Sequence, residues 1–188
     1  MSKLEQLRNI IDTALQGAGQ SKLTQEVIDS VGGFTSPNIR HLMNNLGAIS
    51  THYADCGSHI GSTLISTVYG NDNLKSATAI DNWSLFSTKQ HDSRTEFFNH
   101  CDRLIPNRYK AVEKDCYTVT KKDLPNPIDM YLYDAGHSAD ETARGITYFK
   151  QFMADEFILL IDDFWWDTVQ EGTEPVVWLR VCVHCNRG

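Results

Sequence analysis

The sequence predicts an α/β fold, in which a mostly parallel, doubly wound sheet is flanked by helices. Five short apolar segments alternate with amphipathic segments of helical periodicity, and strand–helix–strand units of this kind form right-handed crossovers within a parallel sheet. Hydrophobic residues make up 41% of the 188 residues, which is enough apolar side chain to form one hydrophobic core. A chain of this length forms a single structural domain more often than two.

The elements of this fold follow from the spacing of the apolar residues. The predicted strands are residues 49–54, 77–80, 109–112, 128–133 and 157–161. Apolar residues three and four positions apart predict helices over residues 4–15, 25–31, 36–46, 63–69, 94–104 and 139–153. Ser36 suits the N-cap of the third helix, and Pro37 suits its first position. Residues 1–34 are predicted to be a helical extension of the domain that residues 35–188 form.

Composition excludes several classes of function. The net charge is −7, so the chain lacks the basic surface that binds nucleic acid or an anionic membrane. The longest apolar run, residues 157–161, is far shorter than the roughly 20 residues that span a bilayer, and the N-terminus lacks the apolar core of a secretory signal. Five cysteines, an odd number, argue against a disulfide framework. We therefore expect a cytoplasmic protein that acts on a small molecule.

A loop with two glycines follows the first predicted strand. It reads Asp55-x-Gly57-x-x-x-Gly61 and departs from the dinucleotide fingerprint GxGxxG, because His59 stands at the position of the middle glycine. Glycines between a strand and a helix let the backbone approach a ligand, although a plain turn has the same composition. The carboxylate of Asp55 suits an ammonium group better than a pyrophosphate. The loop therefore favours a nucleoside that carries an amino acid.

A second acid supports this interpretation. Asp81 ends the second predicted strand 24 residues after Gly57. This is near the spacing at which an acid reaches the ribose hydroxyls of a bound nucleoside. Asp81 is therefore the predicted ribose ligand.

Three further acids follow the last two predicted strands. Asp134 comes directly after residues 128–133, and Asp162 and Asp163 come after residues 157–161. If these strands are neighbours, the carboxylates converge at one edge of the sheet and repel one another unless a cation or a shared proton lies between them. Oxygen ligands of this kind suit magnesium, manganese or calcium. The alternative is that Asp162 or Asp163 caps a helix while Asp134 contacts the cofactor or a backbone amide.

A histidine lies close to the first of these acids. His137 follows Asp134 by three residues, at the start of a predicted helix. Its imidazole could act as a general base toward a hydroxyl group, or it could form a local structural hydrogen bond. The next residue, Ser138, has Glu141 three positions on, which is the pattern of a capping box.

Four segments carry a resemblance to a known family. They are Asp55-Cys-Gly-Ser-His-Ile-Gly-Ser, Ala79-Ile-Asp-Asn-Trp83, Tyr133-Asp-Ala-Gly-His-Ser138 and Ile161-Asp-Asp-Phe-Trp165. Over residues 35–170 their order and spacing resemble class I S-adenosylmethionine-dependent methyltransferases, which have a Rossmann-like fold, and especially the macrocin-type O-methyltransferases. The resemblance implies methyl transfer to a small-molecule or sugar hydroxyl, whose oxygen displaces the sulfonium methyl directly.

The resemblance also implies which residues contact S-adenosylmethionine. It places Asp55, Gly57 and Gly61 at the methionine end of the cofactor. Asp81 would contact the ribose, and Asp115 would lie on the adenine side unless it is a solvated loop charge. The remaining predicted cofactor contacts are Ser58, Asn82, Trp83 and Asp134.

A metal is the last implication of the resemblance. In metal-dependent O-methyltransferases, acids at the positions of Asp134, Asp162 and Asp163 hold Mg²⁺, which orients the acceptor hydroxyl and lowers its pKa. His137 and Asp134 are the predicted catalytic residues. Two other functions remain open, namely a methyltransferase-like protein that binds cofactor or nucleoside without turnover, and a truncated inactive relative. A dinucleotide-dependent oxidoreductase is disfavoured by the departure from GxGxxG.

The C-terminal region departs from the family. Two further strands would follow residues 157–161, but the sequence predicts only one, over residues 176–183. We therefore expect a shortened C-terminal edge of the sheet, which a partner chain could cover in a homodimer. Cys182 and Cys185 have the spacing of zinc ligands, but the sequence has no second ligand pair that would complete a tetrahedral site.

Overall fold

The fold is a five-stranded, all-parallel sheet with helices on both faces, which confirms the predicted fold class. The computed structural model describes residues 2–16, 20–85 and 92–177. The strands are β1 (His52–Cys56), β2 (Ser76–Asp81), β3 (Lys110–Glu113), β4 (Ile128–Tyr133) and β5 (Met153–Ile161). The helices are α1 (Lys3–Leu15), α2 (Gln25–Ser30), α3 (Pro37–Gly47), α4 (Ser62–Val68), α5 (Ser93–Leu104), α6 (Ala139–Phe149) and α7 (Asp167–Thr173). Within the described ranges, no helix combines the length and the apolar character needed to cross a bilayer.

The order of the strands in the sheet is β3-β2-β1-β4-β5, with β1 at the centre. The chain moves outward from β1 through β2 to β3, and then crosses back to place β4 on the other side of β1. The strand order therefore reverses between β1 and β4. In open parallel sheets, ligands bind outside the carboxyl ends of the strands at such a reversal.

Hydrophobic side chains pack on both faces of the sheet, because successive residues of a strand point to opposite faces. On one face, Tyr53 of β1 belongs to a cluster that includes Leu64 of α4 and Phe97 of α5. On the other face, Tyr131 of β4 stacks on Phe149 of α6, with the ring centroids 4.6 Å apart. The first cluster also contains buried residues of α2 and α3. The N-terminal helices therefore share the core of the sheet.

Several element boundaries differ from the prediction. β1 begins at His52, not at residue 49, because Ile49 and Ser50 donate their backbone N–H groups to carbonyls at the end of α3. α6 ends at Phe149, and a short 3-10 turn leads directly into β5, which begins at Met153. Apolar residues continue across that junction, so their spacing alone does not mark the change of structure. α7 was not predicted from the sequence.

The two capping predictions have different outcomes. Ser138 and Glu141 form the predicted capping box at the start of α6, each side chain accepting the backbone N–H of the other residue. Ser36 is the N-cap residue of α3 with Pro37 after it, but the Ser36 side chain makes no capping hydrogen bond. The start of α3 therefore lacks a side-chain cap, and Pro37 occupies the first helical position, which suits proline.

The predicted C-terminal strand falls mostly outside the described residues, as do Cys182 and Cys185. Val176 and Val177, the part of it that is described, follow α7 without forming a strand. Within the described residues, β5 pairs with β4 alone.

Candidate functional site

A cavity of about 380 Å³ opens at the carboxyl edge of the sheet, where the strand order reverses. This volume lies in the range of pockets that hold small organic ligands. The predicted site residues that line the cavity are Gly57, Ser58, Asp81, Asn82, Trp83, Asp115, Asp134, His137, Asp162 and Asp163. Asp55 and Gly61 are not part of that lining. The structure thus brings together most of the predicted site residues and leaves two of them behind the cavity wall.

Gly57 allows the loop after β1 to approach the end of β4. Its φ is +92°, in the region that favours glycine, and a side chain there would overlap the backbone carbonyl of Asp134. The Gly57 N–H donates to the Ile80 carbonyl (2.9 Å), and the Asp134 N–H donates to the Cys56 carbonyl (2.8 Å). The ends of three strands are therefore joined by backbone hydrogen bonds at the cavity wall.

Asp81 holds two loops together through both of its carboxylate oxygens. One oxygen accepts the His59 N–H (2.9 Å), and the other accepts the Trp83 N–H (2.7 Å). The Trp83 indole N–H donates to the His59 carbonyl (2.8 Å) across the same gap. His59 and Trp83 have positive φ values of 47° and 48°, an uncommon conformation that is found more often at functional sites. Asp81 therefore has a fixed orientation at the cavity edge.

Trp83 is only 7% exposed, so it offers little open surface for stacking.

Asp55 lies behind the cavity wall and is fully buried. One of its oxygens accepts the Thr63 hydroxyl (2.9 Å), and the other has no hydrogen-bond partner within the described part of the chain. Burial raises the pKa of Asp55 to about 8, because a charge is poorly solvated there. The residue is therefore a neutral acid at neutral pH, and it does not present a carboxylate to the cavity.

Gly61 serves the packing of two helices. It is the N-cap residue of α4 with φ of +88°. A Cβ atom there would lie 3.0 Å from the Cys101 Sγ and 3.2 Å from the Phe97 ring. Gly61 therefore lets α5 pack against the start of α4. It lies outside the cavity lining, and its contact with a cofactor stays a prediction.

Asp134, His137 and Asp163 form a compact group, called here the acid–histidine cluster. One ligand atom from each residue lies within 4.8 Å of the others, and the His137 Nε2 is 3.6 Å from an Asp134 oxygen and 3.4 Å from an Asp163 oxygen. Ligands of one small cation lie roughly 3 Å apart, so modest adjustment would let these side chains hold one. The Asp134 carboxylate raises the pKa of His137 above its ordinary value, and burial partly opposes this effect. Below that raised pKa the imidazolium is favoured.

Asp162 lies beside this cluster. β4 and β5 are neighbours with Tyr133 in register with Ile161, so the acids that follow the two strands do meet at one edge. The Asp162 Oδ1 accepts the backbone N–H of Asp163 (2.9 Å). Asp163 has φ of 51°, so the chain turns there and the Asp163 carboxylate approaches His137. His137, and not Asp162, is thus the third member of the acid–histidine cluster, while Asp162 lines the same cavity. The predicted metal ligands Asp134, Asp162 and Asp163 stay a prediction.

Asp115 lines the cavity and also caps a 3-10 turn, Cys116–Thr118. Its Oδ1 accepts the Tyr117 N–H (2.8 Å). Other lining residues that the sequence analysis missed are Phe34, Thr35, Lys114, Tyr117 and Glu141. Phe34 is 67% exposed, and its ring stacks on the His59 ring with the centroids 5.7 Å apart. The sequence signal that could have identified Phe34 is an aromatic residue directly after two glycines that end a helix.

Two tryptophans lie beside the acid–histidine cluster. The Trp166 ring lies 5.0 Å from the His137 ring, and Trp165 lies 5.6 Å from Trp166 at nearly a right angle. Trp165 is 58% exposed and Trp166 is 39% exposed. The Trp165 indole N–H donates to Asp163 (3.2 Å). Large exposed rings beside polar groups can pack against a ligand while the polar groups orient it.

The fold is similar to that of solved methyltransferases. A methyltransferase from Podospora anserina with bound SAH has a TM-score of 0.59 and 13% identity, covering 96% of this chain and 70% of its own. An O-methyltransferase from Bacillus cereus in complex with SAH has a TM-score of 0.55 and 12% identity, and the match covers 92% of this chain and 70% of that protein. Precorrin-6y C5,15-methyltransferase from Geobacter metallireducens has a TM-score of 0.57 and 12% identity, and the match covers 78% of this chain and 74% of that protein. No protein-family model and no curated protein sequence matches the chain. At these identities the similarity establishes the Rossmann-like fold that these methyltransferases share.

Proposed function

We propose that this chain binds S-adenosylmethionine in the cavity and transfers the methyl group to a hydroxyl of a small molecule. One observation carries the proposal: Asp81 and the acid–histidine cluster line the same cavity, at the reversal of the strand order. A residue suited to ribose and a group suited to an acceptor hydroxyl therefore face one ligand space. The SAH bound to two of the similar structures supports the choice of cofactor. The macrocin-type resemblance favours a sugar hydroxyl as acceptor.

The residues of the cavity act mainly by positioning. The sulfonium group already makes the methyl carbon electrophilic, so rate is gained by holding the acceptor oxygen in line with it. The backbone at Gly57 and the carboxylate of Asp81 orient the cofactor, and Asp134 and Asp163 accept hydrogen bonds from the acceptor. The hydroxyl oxygen then forms a bond to the methyl carbon as the carbon–sulfur bond breaks, and the hydroxyl proton passes to the carboxylate, Asp134 or Asp163, that accepts its hydrogen bond.

His137 is better placed as a holding residue than as a free base. Without a cation, the neighbouring Asp134 carboxylate raises the pKa of His137 and favours the imidazolium, which cannot take a further proton. A bound cation would replace that proton, because a metal binds the neutral imidazole. A divalent cation bound to Asp134, His137 and Asp163 would orient the acceptor hydroxyl and lower its pKa. Two carboxylates with one imidazole suit Mn²⁺ at least as well as Mg²⁺, because imidazole is a softer ligand than magnesium prefers.

The cofactor site is tested by calorimetric titration of S-adenosylmethionine and of its demethylated product. We expect Asp81→Ala to bind both ligands roughly 10- to 100-fold more weakly than wild type, because a hydrogen bond to a charged group is lost and two loops are freed. Asp155→Ala is the matched control, since Asp155 is exposed on β5. Equal binding by Asp81→Ala and wild type, or no binding by a folded wild type, would contradict the proposal.

The cation site is tested by titrating Mn²⁺ and Mg²⁺ into the protein with bound cofactor product. We expect Asp134→Asn, His137→Gln and Asp163→Asn each to weaken Mn²⁺ binding by about 10-fold or more. Asp162→Asn is the control that separates two ligand sets. A larger loss in Asp162→Asn than in His137→Gln would favour three acids over the acid–histidine cluster, and the absence of any cation binding would remove the metal from the mechanism.

A further inference from the structure

Two cysteines from different segments meet at the cavity. Cys56 is the last residue of β1, and Cys116 begins the 3-10 turn that follows β3. Both residues line the cavity, and Cys116 packs against the buried cluster that contains Cys56. The two thiols are near enough for each to shift the pKa of the other. Neither thiol has a part in methyl transfer as derived above. The cavity therefore contains a pair of neighbouring free thiols with no role in the proposed reaction.

The two thiols differ in access and in mobility. Cys56 is buried and belongs to the central strand, which is paired on both sides, whereas Cys116 is half-buried on a short turn. The neighbouring Cys56 thiol also lowers the pKa of Cys116, which favours the reactive thiolate form of Cys116. A small oxidant that enters the cavity therefore reaches Cys116 first. Cys56 is then the neighbouring thiol that can resolve the product.

We propose that Cys56 and Cys116 form an oxidation site, in which hydrogen peroxide converts the two thiols into a disulfide that narrows the cavity. The Cys116 thiolate attacks one peroxide oxygen, the oxygen–oxygen bond breaks, and a sulfenic acid forms. The other oxygen leaves as hydroxide, which takes up from solvent the proton that the Cys116 thiol released and becomes water. The Cys56 thiol attacks the sulfenic sulfur, the sulfur–oxygen bond breaks, and the departing hydroxide takes the Cys56 proton and becomes water. The two thiols lose two electrons, and the peroxide gains them.

The disulfide would act on the ligand site through the 3-10 turn. β1 is held by hydrogen bonds to β2 and β4, so the turn moves toward the strand when the bond forms. Asp115 and Tyr117 flank Cys116 on that turn, and both line the cavity. Their movement takes space from the ligand. The expected loss of cofactor binding rests on the proposed function, whereas formation of the disulfide does not.

The chemistry is tested by peptide mapping after treatment with hydrogen peroxide. The background is a Cys182→Ser, Cys185→Ser variant of the full chain, because CxxC cysteines form disulfides of their own. We expect a cross-linked peptide that joins residues 56 and 116, reversed by dithiothreitol, with Cys101 left as a free thiol. Cys101 is the internal comparison, because it is fully buried and does not line the cavity. In a Cys56→Ser variant, the sulfenic acid at Cys116 should persist and react with dimedone.

Cofactor binding is then measured before and after oxidation. We expect the disulfide to weaken binding of the demethylated cofactor product by at least about 10-fold, whereas a Cys116→Ser variant should show the same affinity before and after peroxide. Peroxide treatment that leaves both thiols free, or that oxidises Cys116 further without a cross-link, would overturn the oxidation site. A disulfide without a change in affinity would overturn its effect on the cavity. A reduced protein that binds no cofactor but still forms the disulfide would reject the proposed function alone.

Discussion

Gly57→Ala is expected to lower the free energy of unfolding by about 3 kcal/mol or more and to abolish cofactor binding. Two independent costs add at this position. The φ of +92° is strained for any residue with a side chain, and the new Cβ would overlap the backbone carbonyl of Asp134. A backbone carbonyl cannot rotate away as a flexible side chain can. The end of β4 must therefore move, and the acid–histidine cluster moves with it.

The measurement is urea denaturation of Gly57→Ala beside a matched glycine variant. Gly32→Ala is the control, because a Cβ there would meet only Ile60 at 3.9 Å, an ordinary contact. We expect Gly32→Ala to change stability by less than about 0.5 kcal/mol. Similar stabilities for the two variants would show that the loops after β1 and β4 are not packed as described, and the geometry of the site would have to be revised.

The parts of the fold that the sequence predicts are those set by local pattern. Apolar periodicity located all five strands and every helix except α7, because burial on one face repeats every two residues in a strand and every three to four in a helix. The boundaries at His52 and Phe149 were missed for a different reason. Each depends on where backbone hydrogen bonds change partner, and the apolar residues run on across both positions.

The candidate site divides in the same way. The positions of Asp81 and Asp134 at the site could be predicted, because both residues lie at the carboxyl ends of predicted strands, and ligands bind at that edge of a parallel sheet. Asp55 and Gly61 lie in the same motif, but both face other elements. The buried Asp55 accepts the Thr63 hydroxyl of α4. Gly61 packs against Phe97 and Cys101 of α5. That contact joins residues far apart in sequence, so no local pattern reports it.

The presence of His137, and not Asp162, in the acid–histidine cluster has a similar cause. The register of β4 and β5 sets Asp134 level with Asp162, which favours the predicted group of acids. The left-handed turn at Asp163 then directs that residue toward His137. A single backbone conformation after a strand therefore decides which ligand atoms meet, and the pattern of one sequence carries little information on that conformation.

Stability should fall as pH rises from about 4 to about 8, and Asp55 should account for much of the fall. Its pKa is raised from 3.8 to about 8 by burial in the folded state, whereas the unfolded chain ionises near the ordinary value. Between these values the folded state binds the extra proton, so each rise in pH favours unfolding. The contribution of Asp55 is fully present below about pH 4 and is lost by about pH 8. Its full size is on the order of 5 kcal/mol.

Asp55→Asn removes this proton and keeps an oxygen that can accept the Thr63 hydroxyl. The readout is the slope of unfolding free energy against pH, because the slope is unaffected by any constant cost of placing an amide in the buried site. We expect the slope between pH 5 and pH 8 to be clearly shallower in Asp55→Asn than in wild type, and unchanged in Asp155→Asn, whose side chain is exposed. Equal slopes in all three proteins would mean that Asp55 is ionised when buried. In that case it carries a charge that could attract the ammonium group of a cofactor through the loop, as the sequence pattern first indicated.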